Sequence, residues 1–293
     1  MQWLRQLFRR DKPQIPAPLW QASLARLPFL QRLAPPELER LKQLSETLLA
    51  ETTFTGAGGL DLTDEIAVSI AAQASLPVLN LTLDLYRDMA GVIVYPAAFI
   101  VPQAEMDEAG VLHEWHEPVS GEALDAGGAV VLSWEDVEQA DWSMKIPGYN
   151  VVIHEFAHKI DMAGGVANGC PPFLPAYHGG IAISAWQHTF SAAYEDFTRR
   201  VDQLENCLPD NFDEDDPAHA AHYERGCAGL PLDPYAASHP AEFFAVASEA
   251  FFVLPQPLAA AYPDVYRLLA RYYRQEPLAD GIPGQREPIQ KHL

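Results

Sequence analysis

The hydrophobic positions along the chain follow helical spacing in long stretches and gather into short branched runs in between. From Pro36, Leu38, Leu41, Leu44, Leu48 and Leu49 lie near a 3.6-residue period and predict a helix, which the TGAGG run at 55–59 interrupts. Thr63 is an N-cap candidate for a second helix with Ile66, Ala67, Ile70 and Ala71 on one side, ended by Pro77. The character then changes. Segments 92–95, 99–101 and 129–132 are rich in branched and aromatic residues, and Pro96 and Pro102 punctuate the first two, which predicts edge strands or breaks. Ser133 caps a helical turn, with Asp136 at the capping-box position. Helical spacing returns over 150–162, stopped by Gly164-Gly165, and over 182–204, where Trp186, Phe190, Ala193 and Phe197 share a face. It recurs over 240–253 and 263–274. Helices, then a few short strands, then helices is an α+β order, with a small sheet beside a helical body.

The flanks read differently. Residues 13–18 are Pro-rich and predict an extended linker. Before them, Trp3, Leu4, Leu7 and Phe8 oppose arginines in a short amphipathic pattern without the continuous apolar core of a signal peptide. Residues 209–231 are acidic, with few large apolar side chains, and predict an exposed loop or insertion; the tail from Pro277 is polar and expected to be loose. The expected organisation is a segment 1–34, one domain over 35–276 and a tail 277–293.

Composition narrows the partners. Of 293 residues, 48% are hydrophobic and 20% charged, as in an ordinary globular protein. The 19 Lys+Arg against 40 Asp+Glu give a net charge of −21, which repels phosphate backbones and anionic lipid. Neither nucleic acid nor membrane is an expected partner, and no stretch approaches the roughly 18 apolar residues of a membrane span. Cys170, Cys207 and Cys227 form no CxxC pair and no even framework, so thiols in a reducing compartment, the cytoplasm, are expected.

The segment that carries chemistry is His154-Glu155-Phe156-Ala157-His158. On a helix, residues i and i+4 share a face, so both imidazoles reach one ion, and Glu155 lies beside it, placed to take a proton from a water. The plainer alternative is a surface helix with two solvated histidines; the apolar approach Val151, Val152 and Ile153 and the clean Gly-Gly stop favour the metal reading. A second cluster, His113-Glu114-Trp115-His116, has the wrong spacing, precedes Pro118 and reads as loop. A third ligand is needed. Gly164 stands where an HExxHxxGxxH pattern would place a histidine, so a carboxylate from a later helix is the remaining common solution. Glu242, two residues after Pro240, is the best candidate, but a glutamate at that position equally suits capping. Glu249, two turns on, is an alternate ligand or a partner to one. Asp161 can hydrogen-bond a ligand histidine or be a solvated helix end. Tyr235 can donate to an oxyanion or simply pack.

These segments resemble a known family. NVVIHEFAHKIDM at 150–162 and YAASHPAEFFAVASEAFF at 235–252 resemble the Mlc titration factor A family of bacterial zinc peptidases, as do AVVLSWEDV and RYYRQEP. The resemblance covers roughly 60–276 in patches, and is more distantly similar to the catalytic domain of anthrax lethal factor. It implies a mainly helical, zincin-like α+β metallopeptidase fold of gluzincin type, with a small sheet beside the active-site helix. It implies one zinc per chain on His154, His158 and Glu242, Glu155 as catalytic glutamate, Tyr235 stabilising the transition state, and aminopeptidase-like activity on peptides. It also implies binding of an Mlc-like repressor. The competing reading is a protein that sequesters a regulator, with a structural or weakly active zinc site; a structural site has no use for Glu155. Two departures stand out: the acidic 209–231 segment is longer than usual, and His239 occupies the N-cap position before Pro240. Strand 129–132 is expected to pair with extended substrate.

Overall fold

The computed structural model describes residues 14–106, 112–119, 121–123, 127–142, 148–209, 212–213 and 216–278. The amphipathic pattern at Trp3–Phe8 and all but the first two residues of the polar tail lie outside them.

Three helices open the chain: α1 (Ala17–Arg26), α2 (Pro35–Glu51) and α3 (Asp64–Ser75). Among the described residues, the extended reading of 13–18 stops at Pro16. Pro18 sits in the first turn of α1, where a missing N–H is harmless, and Trp20 and Leu24 bury the helix. Ile15, Leu27 and Leu30 join the same core. Thr63 caps α3 as expected, accepting from Ile66 N at 3.3 Å. From Ile66 to Ser75 every residue of α3 is buried, which its small and branched side chains permit.

A four-stranded sheet follows, built from β1 (Phe54–Gly56), β2 (Val92–Tyr95), β5 (Gly121–Ala123) and β6 (Val130–Ser133), in the order β1-β2-β6-β5. The first three in that order are parallel and β5 is antiparallel to β6. Between them β3 (Phe99–Met106) and β4 (Leu112–Val119) form a separate antiparallel hairpin with Phe99 opposite Val119. Several expectations are corrected here. β1 starts the TGAGG run that reads as a mere interruption; its three residues are held by parallel pairing with β2, a partner 38 positions away in register. β2 is interior, not an edge. The His113–His116 cluster is strand, since pairing across the hairpin outweighs its loop-like composition; Pro118 falls near the strand's end, opposite Ile100. β6 has both edges occupied, by β2 and β5, so it cannot add a substrate strand.

The second half is helical: α4 (Trp134–Trp142), α5 (Val151–Met162), α6 (Pro175–His178), α7 (Ile183–Glu205), α8 (Pro217–Cys227), α9 (Pro240–Val253), α10 (Pro255–Ala261) and α11 (Pro263–Tyr273). α8 corrects the loop reading of 209–231. Asp216 accepts from Ala218 N at 2.8 Å and Pro217 opens the helix, yet no residue of α8 is buried, which is why the hydrophobic pattern missed it. α10 is likewise absent from the sequence reading: its PQPLAAA sequence buries only Pro255 and Leu258.

α5 lies at the centre, packed against α9, α3, β5 and β6. All residues from Val151 to Asp161 are buried. Phe156 points away from the histidine face and meets Tyr86 edge-on, ring centres 4.9 Å apart. Phe156→Ala is therefore expected to cost about 3–5 kcal/mol, read as a lowered midpoint in urea unfolding with chelator present; an unchanged midpoint would show that this contact does not seat α5.

Candidate metal centre

α5 is started by Asn150, whose Oδ1 accepts from Ile153 N at 2.9 Å. The regular helix that follows stacks His154 and His158 one turn apart, ring centres 4.7 Å from each other. α9 delivers the third group. Its N-cap is His239, whose Nδ1 accepts from Ala241 N at 3.2 Å, so the departure at that position does the capping itself. Glu242 is thereby released from capping, and its Oε2 lies 3.1 Å from both His154 Nε2 and His158 Nε2. The two Nε2 atoms are also 3.1 Å apart.

Three donors in an equilateral triangle fit a metal ion. Bonds of roughly 2.0–2.1 Å in a tetrahedral set put neighbouring ligand atoms about 3.3–3.4 Å apart, close to what is seen. His154, His158 and Glu242 are the group among the described residues that can hold an ion in this way. The charges agree. Burial lowers the His154 imidazole, but Glu249, Glu242 and Glu155 around it raise it well above its ordinary value. Burial raises Glu242, and its hydrogen bonds to the two histidines more than reverse that, holding it below the usual carboxylate range. The triangle is a place that attracts positive charge.

Glu155 is 4% exposed on the helix between the two histidines. Burial pushes its carboxyl up to about 7, against the pull of His154 and His158. Glu249 lies behind the triangle: its Oε1 is 2.6 Å from His154 Nδ1, and its Oε2 accepts from Asn150 N at 2.6 Å. Neither use of Asp161 foreseen from the sequence is what the structure shows. Asp161 is 1% exposed, and its Oδ2 accepts from Asn168 N at 2.8 Å and Gly169 N at 2.7 Å, tying down the loop after α5. Tyr235 stands in a single 3-10 turn, Pro234–Ala237, held by Asp233, whose Oδ1 accepts from Tyr235 N at 2.8 Å. Its ring centre is 6.1 Å from that of His154 and the residue is 57% exposed, so it faces the site from the solvent side. Sequence reasoning missed the part of Asn150 that reaches Glu249: the residue type signals an N-cap, but nothing local signals where its backbone N–H points.

Comparison with known proteins agrees with this geometry. A family model described as glucose-regulated metallo-peptidase M90 matches residues 1–274. The protein named Mlc titration factor A from Yersinia pestis (strain Pestoides F) is 33% identical over 278 residues, 94% of this chain and 92% of that protein. The protein of the same name from Yersinia pseudotuberculosis serotype O:1b (strain IP 31758) matches with the same identity and coverage.

The loop that Asp161 holds also supports the start of α9. Gly169 has φ +79°, and a Cβ there would sit 2.5 Å from Pro240 O in the first turn of that helix. Gly169→Ala is expected to destabilise the fold by about 1–3 kcal/mol and to loosen metal retention, because the turn bearing Glu242 must move. Thermal unfolding with and without metal checks this; an unaltered melting temperature would show that the loop gives way instead.

Proposed function

Because the chain belongs to the glucose-regulated metallo-peptidase M90 family, we propose that it is a zinc-dependent, aminopeptidase-like peptidase acting in the cytoplasm. The observation that carries the reading is the triangle of His154, His158 and Glu242 with a buried glutamate, Glu155, between the two histidines.

In this proposal the three residues would hold one Zn²⁺, which would polarise the scissile carbonyl and acidify a water so that, on losing a proton, it becomes the nucleophile. Glu155 accepts the proton of that water and carries it to the leaving amine. Glu249 keeps the proton of His154 on Nδ1, which leaves the Nε2 lone pair for the metal. Tyr235 donates its phenol hydrogen to the carbonyl oxygen as negative charge develops there. With β6 closed on both sides, extended substrate is assigned to the outer edge of β5, the edge strand beside β6, which also packs against α5. The free thiols of Cys170, Cys207 and Cys227 suit a reducing compartment. Residues 35–276 are taken as the catalytic domain, onto whose core Ile15, Leu27 and Leu30 of the preceding segment pack, with 209–231 as its acidic insertion.

A second reading is favoured by the name of the relatives, Mlc titration factor A: the chain binds an Mlc-like repressor, alongside peptidase activity or in place of it. The two separate at Glu155, which a purely structural zinc site does not need.

The test is zinc content together with hydrolysis of a panel of aminoacyl and internally quenched peptides. Glu155→Gln is expected to keep one zinc per chain and lose about 10²–10⁴-fold in kcat/KM. A zinc-loaded wild type as inert as this variant across the panel would leave the repressor-binding reading as the better one. Tyr235→Phe is expected to keep zinc and lower kcat roughly 10²-fold; an unchanged kcat would remove the phenol from the reaction.

A further inference from the structure

The hydrogen bonds behind His154 continue past Glu249. Asn150 gives its backbone N–H to Glu249 Oε2, and its Nδ2 donates to Gln73 Oε1 on α3 at 2.7 Å. Gln73 Nε2 donates to Ser69 O at 3.3 Å. Gln73 and Asn150 are both 0% exposed and Glu249 3%, so bulk solvent does not reach these groups.

The direction of each amide is set by its neighbour. A backbone carbonyl only accepts, so the NH₂ of Gln73 faces Ser69 O and its Oε1 faces Asn150. Asn150 must then present its own NH₂ to Gln73 and its Oδ1 to Ile153 N, the bond that caps α5. Held at both ends, Asn150 aims its backbone N–H at Glu249. The two oxygens of Glu249 are thereby divided: one is pinned by Asn150 and the other accepts from His154 Nδ1. A carboxylate fixed on one side cannot swing away from the imidazole on the other.

We propose that Gln73 is a positioning residue for the metal: through Asn150 and Glu249 it fixes the ring direction and tautomer of His154. The affinity for a divalent cation is thus set in part from α3, a helix that supplies no ligand. The inference rests on the metal-site reading above. A buried glutamine that merely fills space would affect stability but would not be coupled to Glu249.

The experiment is competition for Zn²⁺ against a chromogenic chelator, on the full chain, for the wild type, Gln73→Met, Glu249→Gln and the double variant. Glu249→Gln is expected to weaken zinc binding by about 10–100-fold, and Gln73→Met, one residue further out, by about 3–10-fold. The double variant is expected to bind no more weakly than Glu249→Gln alone, because the chain is already cut downstream. Gln73→Glu, whose protonated carboxyl offers an O–H to Ser69 O and a C=O to Asn150 Nδ2, is expected to return within about 3-fold of the wild type. If Gln73→Met does not fold, Gln73→Asn runs the same cycle, since its shorter amide withdraws the acceptor from Asn150. A wild type that binds zinc no more tightly than Gln73→Met or, where that variant does not fold, Gln73→Asn overturns the proposal, as does an equal loss in both Glu249 backgrounds. A wild type that binds no zinc overturns the metal-site reading and this inference with it.

Discussion

Helix α5 is buried along almost its entire length, yet His154, Glu155, His158, Lys159 and Asp161 on it are all ionisable. Taking an uncompensated charge out of water costs several kcal/mol, and all of these groups but Glu155, which lies between the two histidines of its own helix, take a partner from another element. Glu242 and Glu249 come from α9 for the histidines, the Gly128 carbonyl accepts from Lys159 Nζ at 3.0 Å, and the amides of Asn168 and Gly169 satisfy one oxygen of Asp161. The surrounding helices, loop and sheet are arranged to meet that requirement. Among the described residues, the triangle of His154, His158 and Glu242 is the place where this compensation leaves a group that could hold a cation.

α9 carries two duties on one face. Glu242 and Glu249 are seven residues, two turns, apart, so one helix delivers both a carboxylate for the triangle and the acceptor behind His154. Apart from Ser248, the rest of α9 is apolar, with Phe243, Phe244, Phe251 and Phe252 buried in a helix that packs against α5, α7 and α11 and leaving it little freedom to slide. Tyr194 adds a tie from α7, donating to Ala237 O at 3.0 Å in the residues between Tyr235 and Glu242. The segment 233–242 is thus anchored at both of its chemically important ends, while Tyr235 itself stays open to solvent.

Much of this was legible in the residues. Helices with a strong apolar period or a recognisable cap were placed within a residue or two: α2, α3, α5, α7, α9 and α11. So was the convergence of His154 and His158, because i and i+4 share a helix face whatever surrounds them. The misreadings share a cause. β1, β4 and α8 carry no periodic apolar face, and each is held by pairing or capping rather than by burial of a local pattern. The interior position of β6 was invisible for a related reason: strand order in a sheet depends on partners far apart in sequence.

By itself the sequence determined the donor types and their local geometry: two imidazoles and a carboxylate on α5, a glutamate near the start of α9, and an acidic chain without a membrane-length apolar helix among the described residues. The resemblance of its two long segments to a peptidase family added the expected third ligand. Only the tertiary structure decided which carboxylate meets which histidine. Local spacing left Glu242 open between ligand and cap, Glu249 between ligand and partner, and Asp161 between histidine and solvent. The packing of α9 across α5 sets Glu242 against both histidines and Glu249 behind His154, with His239 taking the cap and the loop amides taking Asp161. A helix fixes its own residues through bonds four positions apart, but contacts between 84 and 95 residues away, such as His158 with Glu242 and His154 with Glu249, exist only once the core has closed.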